Sequence, residues 1–496
     1  MNKKSHRVFN LVLCSIYLVA SVLLIFRHEI WFDESHAWIV TRDVDGLGHL
    51  FQRQGYEGTP VLWHLLLYPF SRSGFPVITM QFIHLFIIFS AVVIFCWFSP
   101  FSKLHKGLFV CGYFMIFEYM AVSRNYGLSV LFIFLLAWFF KDRWRKPLRI
   151  GVVLFFLTQS NLHGIVIALA VLAALAFEYL FTFKRPQKAA LKKNLLLTLG
   201  LSLAGVFIAA VQIIPPDNLM PALKDYQLGF SFISVKNVLR SVVGSFIPIP
   251  QFTRYFWDAE TLLESISSYF LLLFLPLLAS VFWLFRRHLT VLVMYFSAIA
   301  GLLLLFYVKP YSAFMRHYGQ VFIFFVGCAW AILSEDKREG RGNRSKKMLT
   351  IFLLVVLLFQ LIGGIYAYIM DFRLPFTQSK KAAQFIMSQQ LLDDETLLVG
   401  WKDFAVCPTL VYLPKLQYYY PQKRDFGSFI NWTNDRMYDW DTGEVEDFAR
   451  QSGYTRVVLV LNGIDRFDLS GYQKLAEFRY AINPNERYFI YQKWLR

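Results

Sequence analysis

Cysteine is scarce, five in 496 residues, and Cys14, Cys96, Cys111 and Cys328 lie in apolar runs, leaving Cys407 alone in a soluble stretch. That scatter excludes a disulfide framework or a cysteine-based zinc site. Acidic residues are few as well, 33 against 50 Lys and Arg, for a formal charge of +17. GxGxxG, Walker A and CxxC signatures, internal repeats and low-complexity tracts are all missing. The basic residues fall between apolar runs rather than on a face interleaved with exposed aromatics, so the charge is not a nucleic-acid footprint. What is abundant is apolar: 56% hydrophobic residues, 18% aromatic, with a mean hydropathy of +0.45. A chain of this composition is a polytopic α-helical membrane protein.

A hydrocarbon core about 30 Å thick takes roughly 20 apolar residues per helix. By that rule spans fall near residues 8–26, 76–98, 107–122, 126–140, 150–162, 164–182, 195–214, 264–285, 289–308, 317–334 and 349–370, about eleven transmembrane helices. The basic start, Met1 to Arg7, followed by an apolar run, resembles an uncleaved signal anchor. With the N-terminus cytoplasmic, every inside loop is basic: Lys103 and Lys106; 141–149; 184–193; Arg286 and Arg287; and 337–347. That register places Asp33, Glu34, residues 215–262 and everything after Asp371 on the outer face of the plasma membrane. The run Val61 to Phe70, opened by Thr59 and Pro60, is too short to span and is expected to lie in the interface, with a second short amphipathic helix over Val44 to Phe51. The expected organisation is a transmembrane domain over 1–370, with outer loops 27–75 and 215–262, and a C-terminal extracytoplasmic α/β domain over 371–496. Within the latter the patterns predict helices at 379–392 and 444–451, and strands at 396–401, 416–420, 456–461 and 488–493.

The stretch Trp31-Phe32-Asp33-Glu34-Ser35-His36-Ala37-Trp38 sets two adjacent carboxylates just beyond the first span, between tryptophans that favour the headgroup level. Ionisable groups there are functional candidates, with solvated loop charges or a helix cap at Asp33 as the alternative. Two pairs of spans, 107–141 and 149–184, go out and back in roughly 35 residues each, too few for two full crossings. Their tips, Glu118 to Tyr126 and Thr158 to Gly164, should therefore sit below the outer surface and face protein or water. A recessed cavity opening outward follows, with Arg124 and His163 at its wall; ordinary hairpin turns with snorkelling side chains are the alternative. A later turn, Lys309 to Tyr318, adds Arg316 and His317 to the same face, as ligand contacts or, in the alternative, as membrane-interface anchors.

In this order, an Asp-Glu pair in the first outer loop, the Gly58-Thr59-Pro60-Val61-Leu62-Trp63-His64 helix start, short hairpins, about eleven spans and an outer α/β domain, the chain resembles the GT-C glycosyltransferases. It looks most like bacterial relatives of protein O-mannosyltransferases and of the aminoarabinose transferase of lipid A. The motif resemblance covers roughly residues 25–170, and Gly-Thr-Pro-Val stands where many relatives carry a Pro-Pro pair. The resemblance implies transfer of a sugar from a polyprenyl-phosphate donor to a hydroxyl of a cell-envelope glycan, lipid or protein, usually with inversion. It maps the leading acidic residue, the general base, onto Asp33, while Glu34 would orient a neighbouring group or bind the acceptor. Adjacent like charges should push at least one of the two pKa values up. Arg124 offers bidentate hydrogen bonds to the leaving phosphate, with Asn125, Tyr126, Asn161, His163, Arg316 and His317 as further donor contacts and Glu57 and His64 as acceptor or lipid contacts. No further acidic cluster completes a metal shell, and the protein-mannosyltransferase branch works without one, so no metal and no cofactor beyond the lipid-linked donor is expected. The rival classes are a transporter or flippase, which predicts inverted repeats that the sequence lacks, and a non-catalytic membrane scaffold.

Overall fold

Length separates the apolar runs that cross a bilayer from those that cannot. Helix α1, Lys3–Ile25, has 23 residues, about 35 Å at 1.5 Å per residue. Helices α2 (Phe32–Asp43), α3 (Leu47–Glu57) and α4 (Leu62–Arg72) separate it from α5, Ile78–Phe98. Helix α6 (Lys103–Val110) is followed by a five-residue π-helical turn, Phe114–Glu118, and then by α7 (Tyr126–Phe139), α8 (Pro147–Thr158), α9 (Leu162–Phe181) and α10 (Arg185–Gln212). The long connection that comes next carries α11 (Pro221–Lys224), α12 (Phe232–Phe246) and α13 (Leu262–Ile266). The bundle closes with α14 (Phe274–Phe285), α15 (Leu289–Val308), α16 (Met315–Glu339) and α17 (Asn343–Arg373). The computed structural model describes residues 3–224, 226–257, 259–266, 272–309, 314–339, 343–413, 416–436, 440–464 and 467–495.

Among the described residues, seven helices, α1, α5, α9, α10, α15, α16 and α17, are long and apolar enough to cross a membrane. The other four expected spans are shorter: α7 has 14 residues, α8 and α14 have 12 each, and the run 107–122 is no single helix. Residues 267–271 of the expected span 264–285 and 310–313 of the Lys309 to Tyr318 turn lie outside the described residues. The break after α6 has a packing cause. A Cβ on Gly364 of α17 would lie 2.4 Å from the Cys111 carbonyl oxygen, so the two backbones meet where α6 stops. Irregular backbone at membrane depth is tolerable only inside protein, and every residue from 112 to 123 is buried. Helix α16 is the axis of the bundle, with 94% of its apolar window buried against 28% for α10 at the periphery.

The basic loops gather at the end where α1 begins. Lys103 Nζ donates to Ser5 Oγ at 2.7 Å, and Arg143 bonds both Glu178 (2.6 Å) and Glu335 (2.7 Å), whose other oxygen lies 3.5 Å from His288. The opposite end carries Asp33, Arg124, the end of α17 and the sheet domain.

The expected helix over Val44 to Phe51 starts three residues later, at Leu47, as α3 after a break. Val44 is extended and Gly46 has φ +133°, a conformation that suits glycine, and the break separates α2 from α3. Helix α2 itself begins where the Glu34 carboxylate folds back onto the Trp31 N–H at 3.2 Å, the reciprocal half of a capping box.

Beyond α18 (Ser379–Ser388) stands a six-stranded sheet of β1 (Thr396–Trp401), β2 (Tyr418–Tyr420), β3 (Asp425–Gly427), β4 (Arg456–Leu461), β5 (Gln473–Phe478) and β6 (Tyr488–Trp494), in the order β3-β2-β1-β4-β6-β5. β1 runs parallel to β2 and β4, and the other pairs are antiparallel. Alternate residues serve opposite faces: Leu398, Val458 and Ile490 pack with Ala382, Ala383 and Leu410, while Val399, Val457 and Leu459 pack with Val445 and Ala449 of helix Thr442–Gln451. Ile39 of α2 is part of the first of these cores, which joins the sheet domain to the bundle.

Candidate active site

Adjacent residues on a helix do not share a face, and α2 uses that to separate its two carboxylates. Asp33 Oδ2 meets Arg124 Nη1 at 2.5 Å, with both side chains partly exposed. Glu34 is fully buried: Oε2 takes the Trp31 N–H and meets His28 Nε2, each at 3.2 Å, and Oε1 takes the Ser123 N–H at 2.6 Å. His28 Nδ1 in turn meets Asp371 Oδ2 of α17 at 2.8 Å. Burial opposes a charge on His28, but Asp371 and Glu34 together raise its pKa to about 10. Each carboxylate of the pair therefore faces its own cation rather than the other. Glu34 ties α2, the tip of the first hairpin and α17 into one frame, and Asp33 is left at the surface of a cavity.

That cavity, about 200 Å³, is walled by Phe32, Asp33 and His36 of α2, Tyr56 and Glu57 of α3, Thr59 of the connection that follows, Trp63 and His64 of α4, Arg124, Asn125, Leu223 and, from the sheet domain, Trp432. His36 Nε2 lies 2.9 Å from Glu57 Oε1, and Arg53 Nη2 lies 3.4 Å from the same oxygen. Burial works against the Glu57 charge, but His36 and then Arg53 hold its pKa down at about 2. Burial lowers His64 to about 4, so it is neutral, and its Nδ1 has no hydrogen-bond partner among the described residues. Burial also lowers Arg124, to about 10, with the nearby Arg316 charge adding to the effect, and the guanidinium stays cationic at neutral pH. The cavity thus holds one carboxylate poised on a cation, a second locked anionic, and neutral hydrogen-bonding groups.

Five of the expected site residues line this cavity: Asp33, Glu57, His64, Arg124 and Asn125. Others lie behind it in a buried layer. Tyr126 Oη meets His317 Nε2 at 2.8 Å, and His163 stacks on His317 with ring centroids 5.1 Å apart. Asn161 caps α9, its Oδ1 accepting the Gly164 N–H at 2.9 Å. His163, expected on the cavity wall, is displaced from it because its side chain packs inward between α7, α15 and α16, against Tyr126, Phe306 and His317. The Arg316 guanidinium lies over Trp31 and Trp257, 5.2 and 5.6 Å from the ring centroids, and lines a neighbouring cleft. Sequence reasoning missed His36, Tyr56, Trp63 and Trp432. His36 follows Asp33 by three residues, so reading α2 as a helix would have placed it on the same face. Trp432 carries no local signal, because only the docking of the sheet domain brings it there.

No family model matches the chain, and no curated protein matches it by sequence. Among solved structures it is similar to the crystal structure of ArnT from Cupriavidus metallidurans bound to undecaprenyl phosphate. The two superpose with a TM-score of 0.51 over 97% of both chains, at 12% sequence identity. The long apolar helices, the broken hairpin and the terminal sheet domain together give this chain the fold of ArnT from end to end.

Proposed function

We propose that this protein is a membrane glycosyltransferase that moves a sugar from a polyprenyl-phosphate donor to a hydroxyl acceptor with inversion. The observation that carries the proposal is the Asp33–Arg124 pair at the wall of a cavity between bundle and sheet domain. In the reaction the acceptor oxygen attacks the anomeric carbon, its proton passes to the Asp33 carboxylate, and the bond to the phosphate oxygen breaks with its electron pair going to the phosphate. Asp33 is the general base. Arg124 holds Asp33 in the resting cavity; an arriving phosphate competes for the same guanidinium, frees the carboxylate and is stabilised as it leaves. Glu34 is a positioning residue, fixing α2 through His28 and Ser123. Asn125 serves the donor, Glu57 and His64 hydrogen-bond the acceptor, and Tyr126, Asn161, His163 and His317 support the wall from behind. No divalent ion is assigned a role.

The basic loops at the end where α1 begins support a cytoplasmic placement of that end, and with it a cavity that faces outward in the plasma membrane. ArnT was solved with undecaprenyl phosphate bound, and the shared fold supports the same class of lipid here. The test is titration of the purified protein in nanodiscs with undecaprenyl phosphate. Saturable binding is expected, weakened about tenfold or more in Arg124→Ala, the loss of one charge-assisted contact. Binding that Arg124→Ala leaves unchanged would remove the arginine from the phosphate role.

A further inference from the structure

Beyond Phe32 and Trp432, which also wall the catalytic cavity, a cleft of about 770 Å³ opens between the bundle and the sheet domain. Its far side is the carboxyl edge of the parallel strands. Lys402 follows the last residue of β1 and Asn462 the last of β4, and both line the cleft. From β1 the chain crosses to β2 on one side, and it later returns to β4 on the other. The first crossover packs on one face of the sheet through Val406 and Leu410, the second on the opposite face through Val445 and Ala449. The β1–β4 junction is therefore a topological switch point, the place where open α/β sheets bind ligands beyond their strand ends.

The walls define the ligand. Phe404 and Trp432 stack with centroids 6.5 Å apart, and Phe32 meets both, at 5.8 and 6.3 Å, giving a broad aromatic surface. Lys402, Asn485 and Arg487 are exposed to the cleft. Its one acid among the described residues, Glu486, is already engaged, accepting the Phe32 N–H at 2.8 Å and the Asn483 amide at 3.2 Å. A purely apolar ligand would strand these charges, and a β-strand peptide needs an open edge, whereas β1 and β4 are central. Aromatic faces meet the C–H faces of sugar rings, an amide meets hydroxyls, and Lys402 and Arg487, with no acid partner among the described residues, meet phosphate or carboxylate.

We infer that this cleft binds an anionic saccharide, the headgroup of the acceptor, and delivers one of its hydroxyls past Phe32 to the adjoining Asp33. The inference rests on the transferase reading and names its acceptor class. To test it, the full-length protein in nanodiscs is titrated with tri-galacturonic acid, with neutral maltotriose, and with a uronic acid trisaccharide on an alkyl tail. Undecaprenyl phosphate is titrated on the same samples. Tri-galacturonic acid is expected to bind saturably and maltotriose about tenfold more weakly or worse. A Lys402→Ala/Arg487→Ala double variant should lose about tenfold for the acidic sugar and nothing for undecaprenyl phosphate. Tighter binding of the tailed sugar assigns the source to a glycolipid and equal binding to a soluble glycan, and either result upholds the site. Binding that is indifferent to the double variant, or equal for acidic and neutral sugars, overturns it while the lipid titration stands. Loss of undecaprenyl phosphate binding by the wild type overturns the transferase reading itself.

Discussion

Charge placement divides the labour between Asp33 and Glu34. A carboxylate that accepts two backbone N–H groups and a histidine, with no exposed surface, is framework; one that meets a single arginine at a cavity wall is free to exchange partners. The candidacy of Asp33 was legible from its place just after an apolar span. The separate role of Glu34 was not, because sequence adjacency does not reveal that α2 starts at Phe32 and turns the two side chains apart. The frame makes a pH prediction. His28 is raised from about 6.5 in the unfolded chain to about 10. Its contribution to stability is fully present below about pH 6.5 and is lost as pH rises through about 10. Thermal unfolding of the purified protein should show a fall in Tm between pH 6.5 and 10 that is shallower in His28→Gln. Identical slopes would mean that the imidazolium contributes nothing.

Elements read well where one local pattern decides them and poorly where a distant contact does. The long helices and the strands Thr396–Trp401 and Arg456–Leu461 follow from apolar runs of helix or strand length. Edge strands Asp425–Gly427 and Gln473–Phe478 are short or partly exposed and lack a clear apolar signal. The break after α6 depends on Gly364, which lies more than 200 residues away in sequence. Gly364→Val should force α17 off Cys111 and cost about 1–3 kcal/mol, read as a lower Tm in detergent, whereas an unchanged Tm would show that the contact can relax. The start of α2 is also held from afar, by Glu486 of the sheet domain. Burial raises Glu486 to about 8, so at neutral pH it is largely a neutral acid whose oxygens still accept. Glu486→Ala should speed hydrogen exchange at Phe32 and lower transfer activity, and Glu486→Gln, which keeps an acceptor, should restore both toward wild type. Equal exchange in all three forms would mean that the sheet domain does not hold α2.

On the scale of the whole molecule, the candidate active-site cavity exists only because two bodies meet. Trp432 and the anchor of Phe32 come from the sheet domain, Asp33 and Arg124 from the bundle. Composition and the basic loops made the bundle and its two ends legible. The docking of the sheet domain was not legible, since Ile39, Glu486 and Trp432 meet across hundreds of residues without a local pattern. The most direct measurement is mass spectrometry of envelope glycans and glycolipids from cells that lack the protein, complemented with wild type or with Asp33→Asn at equal membrane abundance. Loss of a general base lowers such a step by about 10²–10⁴, so the expected result is a sugar-sized mass increment restored by wild type and absent with Asp33→Asn. Full restoration of the increment by Asp33→Asn would contradict the assignment of Asp33 as the catalytic base.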